Sequence, residues 1–199
     1  KKLYFDVIPK AVDEYLTFLE KYPEEAPERQ IENPVWHIHN GNPPEVDMPV
    51  SFALLLNLVA VANREDKSQL WGFITRYAQD ASPETHPLLD ELAGYAMRYY
   101  TDFILPEKTY RAPTEQERTA MADLSAHLKA FADEPTSENL QTLTFTIGKD
   151  HHFENLREWF KALYEVLLGQ AQGPRFGSFA ALYGKDNTAR LIDESLARG

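Results

Sequence analysis

The sequence predicts an all-α fold in two helical sub-domains, and three observations predict it. Apolar residues recur mostly at helical spacing, proline or glycine cuts the chain into helix-length segments, and no strand–helix–strand pattern appears. The 199 residues are 43% hydrophobic and 12% aromatic, enough to bury a core in one large or two small domains.

Ala11 to Tyr22 reads as an amphipathic helix with Val12, Tyr15, Leu16 and Leu19 on one face, ended by Pro23. Pro23 to Pro49 reads as a long irregular insert rich in proline, asparagine and acid, of the length that is usually functional or packed on another domain. Ser51 to Ala62 is apolar nearly all round and predicts a central buried helix. Helices over Lys67 to Ala81 and Pro87 to Leu105 follow, the second stopped by Pro106. Pro106 to Pro113 reads as the linker between sub-domains, placing them at residues 1–108 and 109–199. Thr114 with Glu117 forms a capping-box pattern that opens a helix to about Phe131. Thr136 to Gly148, Asn155 to Leu168 and Lys185 to Ala197 complete the set, and no internal repeat appears.

The formal net charge of −11 argues against a nonspecific nucleic-acid binder, whose affinity comes mostly from phosphate neutralisation. The chain has no cysteine, which excludes disulfides and thiolate metal sites and fits a reducing cytoplasm, the expected location. The longest apolar run, Phe52 to Ala62, contains Asn57 and is too short for a bilayer, so no membrane partner is expected. The chain opens on Lys1-Lys2 without an initiator methionine or a visible signal peptide, the start expected of a fragment of a longer polypeptide.

Chemistry concentrates in two turns. In Gly169-Gln-Ala-Gln-Gly-Pro-Arg-Phe-Gly-Ser-Phe179, glycines and a proline separate two short helical pieces and leave Arg175 and Phe176 in the turn between. A guanidinium and an aromatic ring suit an unstacked nucleotide, by hydrogen bonding and by stacking. In the second turn His151-His152 follows Gly148-Lys149-Asp150, offering base contacts from the histidines and a phosphate contact from Lys149. The bland alternative there is a solvated turn with Gly148 as a helix C-cap, and the glycines of the first turn equally fit a tight helix junction. His37 and His39 would point to one side of an extended segment, yet with no defined third ligand they make no metal site, and no metal is assigned. Trp36, Trp71, Trp159, Phe160 and Tyr164 read as core. Nucleophile-elbow, phosphate-loop and His-Glu-x-x-His patterns are lacking, so the chain alone does not look like an enzyme.

Several phrases resemble class I lysyl-tRNA synthetases. Tyr4-Phe-Asp-Val-Ile-Pro-Lys-Ala-Val-Asp-Glu-Tyr15 is similar to the segment that follows their catalytic domain. Asn33-Pro-Val-Trp-His-Ile-His39, Pro49-Val-Ser-Phe-Ala-Leu-Leu-Leu-Asn-Leu58 and Leu70-Trp-Gly-Phe-Ile74 look like later phrases. Trp159-Phe-Lys-Ala-Leu-Tyr-Glu-Val-Leu-Leu-Gly169 and Gly173-Pro-Arg-Phe-Gly-Ser-Phe179 resemble their C-terminal end, and the last block also resembles the C-terminal domain of bacterial glutamyl-tRNA synthetases. The resemblance implies a stem-contact fold over 1–108 and an α-helix-cage anticodon-binding domain over 109–199. It implies tRNA(Lys) and the protein's own N-terminal catalytic domain as partners, with no DNA. That domain's nucleotide-binding motifs are missing here, so ATP and magnesium are implied for it alone and no cofactor for this chain. The expected anticodon contacts are Arg175 and Phe176, then Lys149, His151 and His152. The competing reading, from another class, is an acidic helical protein-interaction module.

Overall fold

The computed structural model describes residues 4–62 and 66–198, and the opening Lys1-Lys2 lies outside them. Among the described residues there are eleven α-helices and no strand, as the periodicity requires. Helix α1 (Ile8–Lys21) buries Leu16 and Leu19, on the face its spacing marks. The expected irregular insert contains two short helices, α2 (Pro27–Gln30) and α3 (Pro34–Ile38). Both open on proline at the first helical position, where the missing N–H costs no bond, so proline there starts helices and does not break them. Asn33 caps α3 through Val35 N (3.0 Å), while its amide donates to Phe18 O (3.2 Å) and Glu25 (3.0 Å), tying the insert down on α1.

Helix α4 (Phe52–Val61) is the buried centre of this half, with seven of its ten residues inside. Two caps hold its first turn. Ser51 accepts from Leu54 N (3.2 Å), and the Asp13 carboxylate of α1 accepts from Phe52 N (2.6 Å) and Ala53 N (3.1 Å). Helix α5 (Lys67–Tyr77) is bound to α6 (Pro87–Tyr99) by Asp90, which accepts from Lys67 Nζ (2.7 Å) and Trp71 Nε1 (2.9 Å). Beyond Tyr99 the chain stays helical but loosens into a π turn over Tyr100–Ile104 and a 3₁₀ turn over Leu105–Glu107 that takes in Pro106.

The second half opens on the expected capping box. Thr114 and Glu117 bond reciprocally at the start of α7 (Glu115–Ala130), and Arg111 adds a bidentate pair to Glu117 (2.6 and 2.8 Å) and a bond to Glu165 (2.6 Å). Helix α11 (Lys185–Arg198) packs along α7, where Asp193 accepts from Ser125 (2.7 Å) and Lys129 (2.6 Å). Helix α8 (Ser137–Asp150) packs along α10 (Phe176–Tyr183), and α9 (Leu156–Leu163) runs into a second π turn over Tyr164–Leu168. Helix α10 also meets α4 and α5, with the Phe73 and Tyr183 rings 5.2 Å apart. The buried side chains of both halves therefore form one cluster, from Leu16 to Ile192.

Candidate nucleic-acid interface

Arg175 occupies the N-cap position of α10 and is exposed. Among the described residues its guanidinium makes no hydrogen bond or ion pair, which leaves all its donors for a partner. The turn that carries it is held from below. The Tyr164 hydroxyl donates to Pro174 O, and the Tyr164 ring meets Phe176 edge-on at 6.2 Å. Burial raises the Tyr164 phenol well above its ordinary range, so it stays a neutral donor.

Phe176 corrects the expectation of a stacking ring. It is 2% exposed and packs between Tyr164 and Phe179, so no base can reach its face. The reason is local. Helix α10 begins at Phe176 itself, and its first turn folds onto α8 where Gly177 touches backbone. Gly177 N donates to Gln141 Oε1 (2.8 Å), and a Cβ there would lie 2.3 Å from Ser137 O. The aromatic anchors the turn, and the arginine is what the turn presents.

The second turn also differs from its bland reading. Gly148 is no C-cap: α8 runs on to Asp150, and Gly148 is buried where a Cβ would stand 2.5 Å from Trp159 Cδ1. Lys149 is exposed, with its ammonium 4.5 Å above the half-exposed Phe145 ring. His151 is engaged: Nε2 lies 2.9 Å from Asp123 Oδ2, and its carbonyl accepts from Gln116 Nε2 (2.8 Å). His127 lies 3.1 Å from the same carboxylate. His152 stands exposed at a left-handed φ of 57°. Sequence reasoning missed Asp123 and Gln116, because nothing local announces partners 28 and 35 residues away; Phe145, four residues before Lys149 on one helix, was within reach of the i, i+4 spacing.

The two turns do not converge. Arg175 and Gly177 sit at the Ser137–Gln141 end of α8, and Lys149 lies eight residues beyond Gln141, about 12 Å along the axis. They border one helix length and offer a spaced pair of cations to an extended partner. His37 and His39 also need correcting. Residues 34–38 are helical, so the two rings diverge; His39 Nε2 bonds Tyr15 OH (2.9 Å), while His37 stands exposed against Trp36. Among the described residues, no group of three or more His, Cys, Asp or Glu is placed to hold a metal ion. No helix among them is long and apolar enough to cross a membrane.

Fold and site together define an all-α module that presents isolated cations at helix ends. No protein-family profile matches the chain. Over 197 residues, 99% of its length, it is 52% identical to the lysine–tRNA ligase of Roseobacter denitrificans, of which it covers 37%. It is 48% identical to the lysine–tRNA ligases of Rickettsia felis and Rickettsia bellii, over 98% of its length and 38% of theirs. The chain is thus a relative of lysine–tRNA ligases, and it spans a little over a third of their length.

Proposed function

We propose that the chain is the C-terminal, tRNA-binding portion of a class I lysine–tRNA ligase, which joins lysine to tRNA(Lys) in the cytoplasm. The observation that carries this reading is the match along 99% of the chain to ligases almost three times as long. In it, residues 1–108 make the stem-contact part and residues 109–199 a helical cage for the anticodon loop. In this reading lysine activation, with ATP and magnesium, belongs to a catalytic domain outside this chain. What this portion supplies is choice of tRNA. Exposed Arg175 meets the loop from one end of α8, and Lys149 with His152 meets it from the other. His151 acts indirectly, its bond to Asp123 holding the Lys149–His152 turn in place.

Choosing a tRNA far from the reaction suits this surface. With a net charge of −11, the portion cannot rely on phosphate neutralisation, so a few cations placed by rigid turns must carry selectivity. Filter binding with tRNA(Lys) and bulk tRNA tests the reading. Preferential retention of tRNA(Lys) is expected; equal retention of both contradicts the selectivity, and absent binding at modest salt contradicts the reading and favours an acidic helical protein-interaction module.

A further inference from the structure

A groove of about 810 Å³ runs between α1, α4 and the segment 170–174, the stretch that leads into the Arg175 turn. Two buried amide nitrogens in its lining residues find no hydrogen-bond partner: Asn57 Nδ2 and Gln170 Nε2. Asn57 is 2% exposed and is the one polar residue of α4, whose other nine positions are all apolar. A leucine would suit that helix better, because a buried amide without a partner loses its hydration and gains nothing in return.

We propose that this groove is a pocket for one unpaired nucleobase, bonded by the carboxamides of Asn57 and Gln170. A carboxamide sets a donor beside an acceptor, the pattern that matches a base edge. Pro174 and the half-exposed Phe18 ring supply apolar surface for a base face. Lys10 and Lys21 lie eleven residues apart on one face of α1, about 16 Å by helix rise, and both line the groove. That span exceeds one nucleotide, so the two ammoniums would meet phosphates of the strand beyond those flanking the held base. Of the groove's three acids, Asp13 is occupied capping α4, Glu14 pairs with Lys10 (3.6 Å), and Asp6 is exposed. The inference rests on the tRNA-binding reading only for the polymer from which the base comes.

The test is a titration of the chain's side-chain amide NMR signals with the four neutral ribonucleosides and, separately, with N-acetylglycinamide as a peptide mimic. Saturable shifts of the Asn57 and Gln170 signals by at least one nucleoside are expected, weakened about fivefold or more by Asn57→Leu and by Gln170→Ala. Asn57→Leu should also raise the melting temperature by about 2–4 °C, the mark of a residue kept at a cost to stability. Gln170→Ala, outside the helices, guards against a folding defect. No shift with any nucleoside, or shifts that both variants leave unchanged, overturns the pocket. An equal response to the peptide mimic assigns the groove to a peptide and overturns it too. Intact tRNA(Lys) separates the two claims. Retention of tRNA by a chain whose amides ignore nucleosides leaves the tRNA reading standing and the pocket refuted; nucleoside shifts without tRNA binding do the reverse.

Discussion

Arg175 and Phe176 are neighbours with opposite jobs, and substitution separates them. Arg175→Ala removes an exposed side chain with no partner among the described residues, so stability should stay within about 0.5 kcal/mol of wild type while tRNA(Lys) binding weakens. Phe176→Ala empties a core site and should cost about 3–5 kcal/mol in urea unfolding. If Arg175→Ala binds tRNA unchanged, Arg175 leaves the site. Arg175 was legible in the sequence as a turn residue, since Gly173, Pro174 and Gly177 break the helices around it. The burial of Phe176 was not, because the ring is taken up by Tyr164, a partner twelve residues back across a turn whose path only the fold reveals. Asn57 stood out as a polar interruption of an apolar run, yet its missing partner is a fact of packing alone.

At the scale of elements, two glycines give opposite expectations from one change. Gly177→Ala drives a methyl into the α8 backbone and should destabilise by about 1–3 kcal/mol or more. Gly72→Ala meets nothing within 4 Å on an exposed turn of α5 and should stabilise by about 0.5–1 kcal/mol. Chemical denaturation of both variants checks the pair; similar effects would mean that α10 does not sit on α8 as described. Helix positions and caps were largely legible, since Ser51, Thr114, Thr136 and Asn155 each accept from a first-turn N–H as their sequence positions require. The π turns after Tyr99 and Leu163 were not. Their apolar residues continue helical spacing, and only the packing of Tyr100 and Tyr164 shows the ladder shifting to wider bonds. Helices α2 and α3 stayed hidden because proline was read as a breaker when it stood at helix starts.

The whole molecule carries its charge in a way that sets its pH response. Hydrogen bonding to Lys67, with a further bond from Trp71, holds the Asp90 carboxyl below its ordinary range despite some burial. Lys129 and then Ser125 do the same for Asp193. A depressed carboxylate contributes stability that is present above its unfolded pKa, about 3.9, and is lost as pH falls through the folded one. Asp13 runs the other way: burial raises its pKa, so its share falls as pH climbs from the unfolded to the folded value. Asp90→Asn should therefore lower stability at neutral pH and flatten its decline below about pH 4, as urea titrations between pH 3 and 7 would record. An unchanged acid limb would remove Asp90 from that role. The all-α class was plain in the sequence; of the linker read over Pro106–Pro113, residues 108–113 are non-helical while Pro106 lies in the 3₁₀ turn. The contact of α10 with α4 and α5, which joins the halves through one core, was beyond it, because no local pattern encodes which helices meet.

The central claim is that this portion reads the anticodon. Equilibrium binding of the chain to the isolated tRNA(Lys) anticodon stem-loop, beside the same stem-loop with its anticodon bases changed, tests it most directly. A clear loss of affinity on changing the anticodon, with a shallow salt dependence befitting few phosphate contacts, is the result predicted. Equal affinity for the two stem-loops, or none for either, would contradict it.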